Sequence, residues 1–248
     1  MSISAGSRGE PQSENSGSGI VIAVDGPSAS GKSSTSRGTA RAIGLRYLDT
    51  GAMYRALTWW MLSHGIPVDE ADAVARQVGA PVIEVGTDPD DPWVTVDGQD
   101  VTAAIRRREV SGAVSAVARV PQVRARLIAM QRELIARARA EGRGIVAEGR
   151  DIGTVVAPDA VVKVFLTASE VARATRRSAE LTADPTATVT TTQAEQARRD
   201  RMDAAQMAKA PDAVDIDSTL FPLEDVIEMI AGLAAQRAKL PDTARTTR

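Results

Sequence analysis

The sequence predicts an α/β fold in which helices cover a parallel sheet, and three observations carry that prediction. Its strand-like segments are continuous apolar runs, helix-like stretches separate each from the next, and the first run leads straight into a glycine loop and a helix. A run that is apolar at every position has no solvent face, so it has to lie inside the layers of the fold.

The elements follow in order. IVIAVD, Ile20 to Asp25, is short, apolar and β-branched, as a buried strand requires. The glycine loop comes next, and SSTSRGTARAI then reads as a helix ending at Gly44, a natural C-terminal cap. LDTGAMYR, Leu48 to Arg55, reads locally as a strand-to-helix turn with Thr50 as the helix cap. The helix carrying Trp59 and Trp60 ends near His64, and these three read as structural. Between Pro67 and Arg108, PVIEVGTDPDDPWVTVDGQDV alternates apolar and polar residues with turn signals at Asp-Pro and Asp-Gly, predicting a small antiparallel insertion.

PQVRARLIAMQRELIARARAEG opens with a proline suited to a helix N-terminus and repeats apolar residues at Val123, Leu127, Met130, Leu134 and Ala138 before Gly142. Arg124 lies beside that stripe. GIVAEG, AVVKVFL and AVDID are the remaining strands. TADPTATVTTT, Thr182 to Thr192, lacks helical periodicity and reads as a mobile loop between two arginine-rich helical segments. No internal repeat interrupts this order.

Composition excludes whole classes of function. At 248 residues and 43% hydrophobic, the chain can bury a sizeable core. Without a single cysteine it has no disulfide framework and no Cys-based metal centre, which fits a reducing, cytoplasmic setting. No run of about 18 apolar residues is present to span a membrane. A net charge of −2 argues against nucleic acid, yet arginines cluster in RRR, RATRR and RRDR, which points to a small anionic ligand. Residues 1–19 are rich in Gly, Ser and charge and lack a secretory apolar stretch, so they read as a disordered tail; 239–248 read as a flexible C-terminal tail.

GPSASGKSS carries the first chemistry. Gly26, Pro27, Ser28, Ala29, Ser30, Gly31, Lys32, Ser33 and Ser34 match the pattern in which backbone N–H groups cradle phosphates between a strand and a helix. Lys32 supplies a point charge for the β- and γ-phosphates, the Ser33 hydroxyl can ligand Mg²⁺, and the helix dipole favours the anion. The implied co-substrate is ATP. A guanine-nucleotide switch would need an Asn-Lys-x-Asp motif, and the only asparagine is Asn15 in the tail. The loop says nothing about the acceptor. For that, EGRDIGT, Glu148 to Thr154, is more informative: an apolar strand ends in a Gly-flanked Arg150-Asp151 pair at the sheet edge where open α/β folds bind ligands.

Taken together, IAVDGPSASGKSS, YLDTGAMYRALT, EGRDIGTVVAPDAVVKVFLTAS and AVDIDST resemble the bacterial cytidylate kinases, from about Ile20 to Ile230. The resemblance implies a P-loop kinase fold: a parallel core sheet with helices on both faces, a nucleoside monophosphate-binding insertion at about 67–118 and a short lid at about 173–200, all in one domain over 20–238. It implies transfer of the ATP γ-phosphoryl group to CMP or dCMP with Mg²⁺. The family's monophosphate contacts fall on Thr50, Arg55 and Arg150, and its cytosine-reading positions on Ser115, Arg124 and Asp151. Its ribose contacts fall on Arg199 and Asp203, with Arg106 a further pocket arginine. Arg173, Arg176 and Arg177 are the lid candidates that, with Lys32 and Arg150, would carry charge to the transferring group. A monomer with small-molecule partners only is expected.

The residue types suit the ligand. Cytosine offers an N4 donor with N3 and O2 acceptors, which a carboxylate, a hydroxyl and an arginine can satisfy. One departure stands out: the family's usual arginine in the segment after RRD is Gln206 here, and the connection to the next strand is shorter. An amide lacks an arginine's charge-assisted bidentate contact, so weaker monophosphate binding, or rescue by Lys209 or Arg201, is expected. The residues alone still leave open a UMP, AMP or non-nucleotide acceptor, and a non-catalytic switch module.

Overall fold

Strand β1 (Val21–Asp25) stands in the middle of a five-stranded parallel sheet, as its wholly buried VIAVD sequence requires. The computed structural model describes residues 19–180 and 188–238. With β2 (Arg46–Asp49), β6 (Ile145–Gly149), β7 (Val162–Thr167) and β8 (Val214–Asp217), the sheet order is β2-β6-β1-β7-β8. The register aligns Asp25 with Gly149 and Phe165, and Asp49 with Glu148. β2, β6 and β1 therefore end within one residue of one another, while β7 and β8 run on and end level at Thr167 and Asp217, so the strand ends share one edge of the sheet.

Helices cover both faces. On one, Ile22, Val24, Val146, Val164 and Leu166 pack against Ala40 of α1 (Lys32–Ala42) and against Val226, Ile230 and Ala234 of α8 (Leu223–Ala238). On the other, Val21, Ala23, Leu48, Ile145 and Ala147 meet Met53, Ala56 and Leu57 of α2 (Thr50–Ser63) and Val123 and Leu127 of α5 (Pro121–Ala140). Neighbouring residues on a strand thus bury opposite sides, which is why its sequence is apolar throughout. Each fully buried Val or Leu contributes about 1.5–3 kcal/mol relative to an exposed one.

A second sheet, β3 (Ile83–Val85), β4 (Val94–Val96) and β5 (Gln99–Asp100), is antiparallel, with Asp97 and Gly98 both at positive φ in the turn between β4 and β5. It is preceded by α3 (Ala71–Gln77) and followed by a 3₁₀ turn (Ala104–Arg106) and α4 (Arg108–Ala118). Helices α6 (Glu170–Glu180) and α7 (Val189–Asp203) pack on each other and lead to a last 3₁₀ turn, Ala204–Gln206. No described helix is long and apolar enough to cross a membrane.

Several local expectations change. The α2 cap is Asp49, whose Oδ1 accepts the Ala52 N–H at 2.9 Å; Thr50 is the first helical residue and donates to the Glu148 carbonyl at 2.6 Å. In α5 the buried stripe is Val123, Leu127, Gln131, Ile135 and Ala138, with Met130 and Leu134 packed at its margin. The segment read as a loop to Thr192 becomes helical at Val189, because the Thr188 hydroxyl caps α7 by accepting the Thr191 N–H at 3.2 Å. Residues 182–187 of that loop, 1–18 of the N-terminal tail and 239–248 lie outside the described residues. Trp60 is buried, donates to Asp97 Oδ2 at 2.9 Å and stacks on His64, in keeping with structural roles.

Gly26 is where the core admits no side chain. Its φ is +148°, and a Cβ there would lie 2.1 Å from the Leu166 carbonyl oxygen of β7. Gly26→Ala should therefore destabilise the fold by at least about 3 kcal/mol, seen as a fall in the urea midpoint at unchanged slope.

Candidate active site

The loop between β1 and α1 turns on residues that leave ordinary φ space. Ala29 sits at φ +58° and Gly31 at +93°, and Gly31 is the α1 N-cap with no side-chain cap bond. The N-terminal N–H groups of α1 are thereby left for a ligand, at the positive end of the helix dipole. Lys32, the first helical residue, folds back to donate from Nζ to the Pro27 carbonyl at 2.6 Å. Burial, and then the nearby Arg150, push its ammonium down to about 7, while Glu148, Asp25 and Asp49 pull the other way.

Those three carboxylates were not singled out from the sequence. Their signal is positional: each stands at or next to the carboxyl end of a strand, in VIAVD, RYLD and IVAEG. Burial pushes Asp25 up to about 6 against two backbone N–H bonds. Burial and then Asp49 also raise Glu148, which accepts the Tyr47 hydroxyl. Asp49 goes the other way, because Arg55 and Arg106 outweigh the cost of its burial. The Ser33 hydroxyl stands beside the Glu148–Tyr47 pair and helps to hold the Glu148 carboxyl down.

Beside the loop opens a cleft of about 960 Å³ lined by Thr50, Arg55, Arg106, Ser115, Arg124, Arg150, Asp151, Arg199 and Asp203, together with Lys32 and Ser33. The structure thus brings every acceptor-side residue named from the sequence into one cavity, from α2, the 3₁₀ turn before α4, α4, α5, α7 and the end of β6. Arg55 Nη2 donates to Asp49 at 2.7 Å, Arg106 lies 3.8 Å from the same carboxylate, and Arg124 pairs with Asp151. Arg150 donates to the Gly26 carbonyl at 2.5 Å and to Asp203 at 3.1 Å. Burial, and then Arg150, lower Arg199 to about 10 despite the help of Asp203. The Ser115 hydroxyl and the Nε of Arg55 and Arg199 are buried with no hydrogen-bond partner. Buried polar groups left in that state are costly unless a ligand completes them.

The α6 arginines divide. Arg176 donates to the Ser30 carbonyl at 3.4 Å and to Ser218 just beyond β8, and it lines the cleft, as does Arg177. Arg173 does not line it; it pairs with Asp200 of α7 at 2.6 Å and holds the Ser28 carbonyl at 3.2 Å. Gly26, Pro27 and Ser30 are also absent from the lining, whereas Ser28, Ala29, Gly31 and Ser34 belong to it. Gln206 reaches the cleft, but Lys209 does not: it pairs with Asp215 at 2.7 Å. Arg201 is exposed and outside the lining, so neither cation stands in for an arginine at position 206.

Known proteins share this chain over most of its length. The family model described as cytidylate kinase matches residues 22–236. A cytidylate kinase of Streptomyces avermitilis is 50% identical over 222 residues, covering 88% of this chain and 94% of that protein. One from Mycobacterium avium is 46% identical over 231 residues, covering 89% and 97%.

The buried lysine makes a pH-dependent prediction. Its folded pKa of about 7 lies below the ordinary lysine value, so between about 7 and 10 the unfolded chain binds more protons than the folded one. Stability contributed through Lys32 must therefore rise with pH across that window. Urea unfolding of the nucleotide-free protein at pH 6.5 and 9 should show wild type gaining on Lys32→Met as the pH rises.

Proposed function

The chain belongs to the cytidylate kinase family, and from that premise we propose that it transfers the γ-phosphoryl group of ATP to CMP or dCMP, giving ADP and CDP or dCDP. The observation that carries the reading is the convergence, on one cleft beside Lys32 and Ser33, of arginines and hydroxyls sufficient for a second phosphate and of the Arg124–Asp151–Ser115 set suited to a cytosine edge.

The donor side is the loop from Gly26 to Ser34. Its N–H groups and Lys32 hold the β- and γ-phosphates, whose charge favours the protonated form of the Lys32 ammonium. The oxygen donors here, the Ser33 hydroxyl with Glu148 and Asp49 nearby, are the hard ligands Mg²⁺ prefers; no cluster of His, Cys, Asp and Glu among the described residues makes a self-contained metal site, and Mg²⁺ bound through phosphates and water needs none. We assign Ser33 to hold it; when bound, the ion supplies charge neutralisation between the phosphates.

On the acceptor side, Thr50, Arg55, Arg106 and Arg150 hold the monophosphate, while Arg199 and Asp203 hold the ribose. In the cleft Arg55, Arg124 and Arg150 are oriented by Asp49, Asp151 and Asp203. The acceptor phosphate, with a second pKa near about 6, is ionised at neutral pH and needs no general base. Catalysis then consists of in-line positioning and charge from Lys32, Arg150, Arg176 and Arg177, inside a cleft that closes to exclude water. Arg173, committed to Asp200 and the Ser28 carbonyl, supports the loop from behind. Absence of cysteine and of an apolar span supports a cytoplasmic enzyme, and we assign a monomer acting on small molecules.

A coupled assay across CMP, dCMP, UMP and AMP tests this: CMP and dCMP should lead by at least tenfold in kcat/KM, and a lead by UMP or AMP would overturn it. Because Gln206 lines the cleft, Gln206→Arg should tighten CMP binding several-fold in a calorimetric titration. Equal affinities would place residue 206 outside the contact set.

A further inference from the structure

Asp25 is a buried carboxylate whose only part so far is its attraction for the Lys32 ammonium. It ends the central strand, and its two oxygens are fully directed: Oδ1 accepts the Ile152 N–H at 2.8 Å and Oδ2 accepts the Gly153 N–H at 2.8 Å. These amides open the π-helical turn Ile152–Val156, at the end where intrahelical acceptors run out. Arg150 and Asp151 are therefore held from both sides, by β6 before them and by this two-point clamp after them. The next residue of the donor loop adds a third tie, since the Gly26 carbonyl accepts from Arg150 at 2.5 Å. The turn packs closely on this clamp: a Cβ on Gly153 would stand in van der Waals contact with Asp25 Oδ2, at 3.4 Å, and 3.2 Å from Lys163 Cδ.

We propose that Asp25 is a positioning residue for the acceptor: by clamping the first two amides of the turn it fixes the Arg150–Asp151 pair in the cleft, so the strand that launches the donor loop also sets the acceptor-reading groups. The identity of what the pair reads rests on the function proposed above; the clamp does not. Two features show that its hydrogen bonds serve the turn and not the donor lysine. The Lys32 ammonium bonds to the Pro27 carbonyl and not to Asp25, and both Asp25 oxygens point at the turn. Its burial carries a desolvation cost that an apolar residue would avoid, as expected of a group kept for orientation.

Asparagine offers one acceptor oxygen, so Asp25→Asn keeps one amide bond and turns an NH₂ towards the other N–H. In steady-state kinetics this variant should raise the KM for CMP about tenfold and lower the preference for CMP over UMP, with the KM for ATP within twofold of wild type. In the nucleotide-free protein, hydrogen exchange at Ile152 and Gly153 should speed up. An unchanged KM for CMP, or an equal rise for ATP, would overturn the proposal. Should the variant not fold, Asp25→Glu keeps both acceptor oxygens but carries them one methylene further along the chain, and it should show the same split; unaltered CMP kinetics there would overturn the proposal equally. If wild type prefers another acceptor, the proposed function fails, while the exchange rates and that acceptor's KM still decide the clamp.

Discussion

Charge buried at the carboxyl edge of the parallel sheet is the constraint on which the rest of this structure depends. Lys32 enters α1 from a loop that partly buries its ammonium, and a cation in that position is unfavourable without compensation. Asp25, Asp49 and Glu148 supply part of it, but they are themselves buried, and two of them are pushed towards neutrality. Asp49 stays charged because Arg55 and Arg106, with the Ala52 N–H, stand against the cost of its burial. The cluster is thus balanced with few spare charges, and a polyanion entering it meets groups already desolvated and already aimed.

The same balance explains why the guanidinium groups come with carboxylate partners. Arg55, Arg124, Arg150 and Arg173 each hold an Asp, which restricts long side chains that would otherwise lose rotamer freedom only on binding. The pairs differ in what they serve. Arg173–Asp200 joins α6 to α7 behind the donor loop, whereas Arg124–Asp151 leaves its polar edges in the cleft. Two arginines separated by three positions on one helix, Arg173 and Arg176, therefore do different work according to which neighbour each meets.

Much of the fold was legible because the sequence states it directly. VIAVD, GIVAEG and AVVKVFL are apolar at nearly every position, and only a sheet covered on both faces buries such runs. What was harder to read shows where local pattern gives way to packing. RYLD is too short and mixed to announce a strand, yet hydrogen bonding to β6 makes it one. In LDTGAMYR either Asp49 or Thr50 could cap the helix; the Thr50 hydroxyl is taken by the Glu148 carbonyl, which leaves the cap to Asp49. Gln131 replaces Met130 in the buried stripe of α5, because helix rotation against the sheet, not hydrophobicity alone, decides which residue turns inward.

The site was legible through its motifs, and its convergence was not. Order along the chain determined a strand, a phosphate loop and a helix, since glycine spacing and apolar runs act over a few residues. Residues as distant as Thr50 and Asp203 meet only because parallel crossovers return each strand to the same edge, so the cleft is a product of the strand order. Asp25 marks the difference: in the sequence it is the last letter of a strand, and its two bonds to Ile152 and Gly153 exist only once β1 lies beside β6. Local chemistry is written in neighbours along the chain; the direction of a buried carboxylate is decided by what the folded chain brings within hydrogen-bond reach.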